Sequence, residues 1–107
     1  MFVVLYRWRT KPGTDDRLRA AWLGATKKIM ARHGALGSRL HRAEDGSWVA
    51  YAQWPDRKSW ERMRASPPAA PDDFDVMNEI EASHGEFPFP YLTMELTDDA
   101  FKGDVKR

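Results

Sequence analysis

Three histidines, three tyrosines and five tryptophans are the side chains here best equipped to move a proton or hold a ring, and cysteine is absent. Without cysteine there are no disulfides, thiol nucleophiles, iron–sulfur clusters or thiolate zinc sites. His84 closes an apolar stripe of Phe74, Met77 and Ile80 or Glu81 that reads as a helix over 74–84. An imidazole titrates near neutrality, so His84 on that stripe is suited to proton abstraction. Its competing role is a cation at a helix C-terminus before Gly85, worth about 0.3–1 kcal/mol. His33-Gly34 repeats that pattern. Tyr6 and Trp8 share a strand face with Phe2 and Val4. A phenol there either hydrogen-bonds a ligand or sits satisfied in an aromatic core. His41 shares its strand parity with Arg39 and reads as a contact to a ligand anion or carbonyl, or as an interface or surface group. Trp60, Phe74 and Met77 wall a hydrophobic pocket beneath the Ser66–Pro71 loop as a lid, or else form ordinary core. Tyr51 is a further apolar wall. Asn78, the only asparagine, neighbours Met77 on the helical wheel and reads as a ligand-carbonyl contact or a surface residue.

Other chemistries lack their spacing. The histidines fall on three separate elements, with no His-x-His or His-x₃-His pair, so no metal signature is present. Asp72-Asp73-Phe74-Asp75 has the charge of a calcium loop but not its glycine or its twelfth-position glutamate, and helix capping is its expected role. No pair of glycines fits a phosphate-binding loop, and no G-x-S-x-G elbow exists.

The elements that must position these residues follow from periodicity. Residues 2–10 are β-branched and aromatic, and form a strand. After the Lys11-Pro12-Gly13 turn, Thr14 is the expected N-cap of a helix whose Leu18, Trp22, Ala25 and Ile29 recur at helical spacing, ending at the Gly34 C-cap. Asp45-Gly46 joins strands 37–44 and 48–54 as a hairpin. Asp56 caps a short helix 57–65, and a proline-rich loop over 66–71 leads to the helix 74–84, capped by Asp72 or Asp73. Residues 89–96 form the last strand, with Leu92, Met94 and Leu96 on one face. The order β-α-β-β-α(α)-β is the α+β, ferredoxin-like split βαβ arrangement, with one antiparallel four-stranded sheet and its helices on one face. The other sheet face carries Val3, Leu5 and aromatics with nothing left in the chain to cover it. A homodimer packed sheet against sheet is the simplest solution.

A chain of 107 residues suits one domain, expected over 1–97 with a polar tail at 98–107. Seventeen basic residues against sixteen acidic ones give a net charge of +1, which argues against a nucleic-acid or anionic-membrane partner. Arg7 and Arg9 interrupt the apolar start before signal or membrane length is reached, so the expected location is cytoplasmic.

Several of these stretches together resemble the antibiotic biosynthesis monooxygenase-like family. They are strand one with Tyr6 and Trp8, the Lys11-Pro12-Gly13 turn, the helix to His33-Gly34, Leu36-Gly37-Ser38, and Tyr51-Ala52-Gln53-Trp54 ahead of Trp60. The likeness runs over roughly residues 2–96. Members of the family are small dimeric α+β barrels. Some oxygenate electron-rich aromatics, quinols or polyketides with O₂ and no metal or flavin, whereas others bind and degrade haem. The resemblance implies a cofactor-independent monooxygenase acting on a small hydroxylated aromatic or quinol. Tyr6 would then hydrogen-bond the substrate or a peroxide intermediate, and His84 would deprotonate the substrate. Trp8, Tyr51, Trp60, Phe74 and Met77 would be walls, with His41 and Asn78 as polar contacts. The alternative is a non-catalytic ligand-binding or structural dimer. The haem-degrading pattern of Asn, Trp and His is met poorly, since Tyr6 stands at the Asn position, Met63 at the Trp position, and His84 lies too far along.

Overall fold

The computed structural model describes residues 1–101. Its elements are β1 (Phe2–Trp8), α1 (Asp15–His33), β2 (Gly37–Arg42), β3 (Trp48–Trp54), α2 (Arg57–Ala65), α3 (Pro71–Ile80) and β4 (Leu92–Glu95). The strands form one antiparallel sheet in the order β2-β3-β1-β4. This is the ferredoxin-like α+β arrangement expected from the order of elements. The tail expected over 98–107 passes beyond the described residues at Lys102.

Side-chain alternation sorts the sheet into two faces. Register pairs Phe2 with Trp54, Val4 with Ala52, Tyr6 with Ala50 and Trp8 with Trp48. This even-numbered face of β1 turns toward the helices. Val3, Leu5, Tyr51, Met94 and Leu92 share the opposite face, in register with one another. The inner face builds two separate buried clusters. One joins Phe2, Val4, Trp54 and Trp60. The other joins Leu18, Trp48 and Ile80.

Several element ends differ from the sequence reading, each for a local reason. Thr14 stands at the N-cap of α1 as expected, but its hydroxyl makes no capping bond and donates instead to the Lys11 carbonyl at 2.6 Å. Asp56 does cap α2, accepting from the Ser59 N–H at 2.8 Å. Helix α3 starts earlier than expected, at Pro71 with Ala70 before it, because a first-turn proline has no N–H that needs a helical partner. It also ends four residues before His84. Glu81 leaves the helix in extended backbone and bridges to Thr10, while Lys11 N–H donates to the Ile80 carbonyl and Ala82 N–H to the Arg9 carbonyl. Pairing with Arg9–Lys11, just past the end of β1, replaces the next helical turn. His84 is thus a loop residue, and neither the helical stripe nor the helix C-terminus holds it. The last strand shortens to Leu92–Glu95, since Phe89 and Pro90 belong to the preceding loop.

Candidate functional site

The inner face of β3 reads Trp48, Ala50, Ala52, Trp54. Large rings stand at its two ends and methyl groups in the middle. Opposite, α1 presents Ala25, 3% exposed. The rings fill the space between sheet and helices at each end, one cluster apiece, and the methyl groups leave the middle open. The result is a cavity of about 540 Å³, well within the range of small-molecule sites. Its walls are mostly apolar: Trp8 from β1, and Trp22, Ile29, Met63, Phe74 and Met77 from the helices.

The cavity borders an open stretch of sheet edge along β1. Strand β4 pairs with β1 only as far as Leu5, so Tyr6–Trp8 have no neighbour on that side. The chain from Glu81 to Tyr91 passes this open edge. It is stitched to β1 at one end by the Thr10 bridge and by the Arg9 N–H bond to the Ser83 hydroxyl, and at the other by Tyr91 N–H to the Leu5 carbonyl. Between the two ends it arches, and Ser83, Gly85, Phe87, Phe89 and Pro90 join the lining. Gly85 has φ of 83°, a left-handed turn that favours glycine within the arch. Phe89 leans on Tyr6, with ring centroids 4.9 Å apart, yet remains 73% exposed. The Ser66–Pro71 loop, expected as a lid, contributes nothing to the lining; the Glu81–Tyr91 arch takes that place.

Charged residues tie the arch to the β2–β3 turn. Arg7 pairs with Asp45, donates to the Ser47 hydroxyl, and stacks on Phe87 with its guanidinium carbon 4.3 Å from the ring centroid. Arg9 reaches Glu86 at 3.1 Å and Asp45 at 3.3 Å. The Ser47 hydroxyl and N–H both donate to Asp45, and with Arg7 beside it the carboxyl is held well below the usual carboxylate range. The hairpin aspartate thus also anchors the two arginines.

Tyr6 brings a phenol hydroxyl to the cavity. Its oxygen accepts the Trp60 indole N–H at 3.0 Å. Burial pushes its hydroxyl above the ordinary phenol value, against smaller opposing effects of the Trp60 bond and the Arg64 charge. Glu81 also joins the lining, its carboxylate accepting the Ser83 hydroxyl at 2.8 Å. Among the described residues, no group of three His, Asp or Glu side chains is placed to hold a metal ion.

Of the residues picked out from sequence, Tyr6, Trp8, Phe74, Met77 and Asn78 converge on this cavity. Trp60 does not line it. It is 3% exposed, packs on Phe2 with centroids 5.4 Å apart, and acts through Tyr6. His84 is exposed and outside the lining, although both its neighbours are in it, because α3 ends before reaching it. His41 and Tyr51 are on the wrong face. Register sets His41 opposite Val49 and Arg39 opposite Tyr51 on the side of the sheet away from the helices. His41 there bonds the Val49 carbonyl at 3.3 Å, and Tyr51 accepts from Gln53 at 3.2 Å. Sequence reasoning missed Arg64 and the two β3 alanines, and had Glu81 only as an alternative to Ile80 on the inward stripe. The Trp-x-Ala-x-Ala-x-Trp alternation is the signal that would have revealed the last two.

The fold is shared with several solved structures. Rv0793 from Mycobacterium tuberculosis is similar at a TM-score of 0.67 and 19% identity, over 94% of this chain and 98% of that one. SnoaB, a cofactor-independent oxygenase from Streptomyces nogalater solved in a mutant form, is similar at 0.61 and 20%, over 76% and 83%. A protein from Caulobacter crescentus described as a possible antibiotic biosynthesis monooxygenase is similar at 0.63 and 14%, over 76% and 78%. No curated protein matches the chain. The sequence model of the antibiotic biosynthesis monooxygenase family matches residues 1–70, which hold β1 to β3 with α1 and α2, and the chain belongs to that family.

Proposed function

We propose that the protein is a monooxygenase that takes a small hydroxylated aromatic or a quinol into the cavity and oxidises it with O₂, using no bound metal or flavin. The observation that carries this reading is the cavity itself. It holds about 540 Å³ walled by aromatic and aliphatic side chains, with the half-buried phenol of Tyr6 among them, in a chain of the monooxygenase family. An electron-rich ring, once deprotonated, can pass an electron to O₂. One oxygen atom then enters a ring carbon and the other leaves as water, the ring C–H and O–H supplying two electrons and two protons. A dry aromatic wall suits such a ring and shields reactive intermediates from solvent. Tyr6 hydrogen-bonds the substrate oxygen, while Glu81 and Asn78 offer acceptors for further hydroxyls. The proton acceptor comes from two candidates: His84 by its chemistry, and Glu81 by its place in the lining.

The working form in this proposal is a homodimer joined through the outer sheet face, where Leu92, Met94 and Leu96 are between 36% and 49% exposed. No helix among the described residues is long and apolar enough to cross a membrane, and the proposed location is the cytoplasm.

The test is oxygen uptake by metal-stripped protein with a panel of quinols and polyphenols. Uptake above the autoxidation rate that drops in Tyr6→Phe supports the reading. A further drop in Glu81→Gln or in His84→Ala identifies the proton acceptor. Uptake equal to the blank across the panel, with ligands still bound, replaces the enzyme by the second reading, a non-catalytic ligand-binding dimer.

A further inference from the structure

We propose that Tyr6 and Arg64, both set against the Trp60 ring, form an oxyanion subsite at one corner of the cavity, so that the ligand is a ring-bearing molecule held by an anionic oxygen. This rests on the cavity being the substrate site and adds what the substrate must carry. Three observations support it.

The first is the direction of one hydrogen bond. An indole N–H can only donate. Trp60 gives its hydrogen to the Tyr6 oxygen at 3.0 Å, and Trp60 is fixed by burial at 3% exposure. The Tyr6 hydroxyl must therefore send its own hydrogen elsewhere, and among the described residues nothing accepts it. The second is Arg64. Its guanidinium carbon stands 4.7 Å from the centroid of that same Trp60 ring, it joins the cavity lining, and its charge acts on Tyr6. Among the described residues it has neither an ion pair nor a hydrogen bond. The third is the state of the other charged groups in the lining. Arg7 is engaged by Asp45, and Glu81 accepts from Ser83. One O–H and one cation thus remain uncommitted, and both stand against a single indole, one at its N–H edge and one over its ring.

A ligand oxygen bearing negative charge satisfies both groups. A bare hydrocarbon ring leaves the Tyr6 hydrogen facing an apolar body, and the unmade bond counts against it. A ligand that presents only an N–H donor meets two donors and is turned away. Burial keeps Tyr6 protonated well beyond neutral pH, so it stays a donor as the ligand loses its proton. For a phenolic substrate, the corner that selects the anion is also the one that makes the ring able to reduce O₂.

The probe is 7-hydroxycoumarin, a fused-ring phenol whose neutral and anionic forms absorb at different wavelengths. It is titrated with acid and base, free and bound. The anion is expected to bind about tenfold more tightly than the neutral form, which lowers the bound probe's pKa by about one unit. The drop shrinks in both Tyr6→Phe and Arg64→Gln and reverses in Arg64→Glu. Arg64 is exposed, so its variants keep the fold and decide the matter even if Tyr6→Phe unfolds. Equal binding of the two forms, no saturable binding, or a drop that survives Arg64→Glu overturns the subsite. The readout does not need turnover. A drop without oxygen uptake removes the oxygenase reading and keeps the subsite; uptake without a drop does the reverse.

Discussion

Replacing Ala50 with leucine distinguishes an open cavity from a gap that side chains close. Ala50 is 4% exposed and sits opposite Tyr6 in the register, in the middle of the β3 inner face. Leucine adds three carbons. At about 0.8 kcal/mol per buried CH₂ this contributes roughly 2.4 kcal/mol. Fixing the leucine rotamer takes back about 0.5–1 kcal/mol, so the net gain is on the order of 1.5–2 kcal/mol. For a domain of this size each kcal/mol moves Tm by about 4–8 °C, and Ala50→Leu is expected to melt roughly 6–16 °C higher. The three added carbons also take up part of the 540 Å³ available, and a two-ring ligand loses at least tenfold in affinity. Calorimetry and a fluorescence titration read the two effects on the same sample. A filled core gives the opposite result, because overpacking is destabilising by about 1–3 kcal/mol. A lower Tm, or unchanged ligand affinity, would refute the argument that the two alanines keep a binding site open.

Trp60→Phe keeps a ring against Phe2 but removes the N–H that holds Tyr6. It is expected to lower stability by about 1 kcal/mol in a urea titration, on top of the repacking loss, and the double variant with Tyr6→Phe should then be less than additive. Asp45 has its folded pKa depressed, first by the Ser47 donors and then by Arg7. Its stabilisation is therefore complete above the unfolded value near pH 4 and is lost as the pH falls through the folded value. Asp45→Asn should flatten the acid limb of the stability curve and leave its neutral plateau sloping no differently. Light scattering is expected to give twice the chain mass of 12.4 kDa, falling to one chain mass in Tyr51→Glu; a monomeric native protein would sink the proposed sheet-to-sheet dimer.

The sequence made the fold legible because its signals were local. Alternation marked β1 and β3, helical spacing marked α1, and Asp45-Gly46 and Gly34 marked turns by backbone conformation alone. The cavity depends on which parity faces the helices and on what stands across from it, and that is a tertiary property. Tyr6, Trp8, Phe74 and Met77 were readable because they lie on inward stripes of elements whose periodicity was plain. His84 was misplaced because α3's end is decided by pairing with β1 some seventy residues away in sequence, at Thr10–Glu81, which no local propensity encodes. His41 and Tyr51 went to the wrong side for a related reason. Aromatic and polar residues occur on both faces of their strands, and only the register with β1 says which face turns inward.

The arch from Glu81 to Tyr91 has a consequence for traffic. Its tether to the hairpin runs through Arg7 and Arg9, whose pairs with Asp45 and Glu86 lie near the surface, and surface ion pairs weaken as salt screens them. The apolar interior is indifferent to ionic strength. Salt therefore acts on the doorway and not on the room. Raising it is expected to quicken both entry and departure of an uncharged ring, as stopped-flow mixing would record, while the ratio of the two rates barely moves.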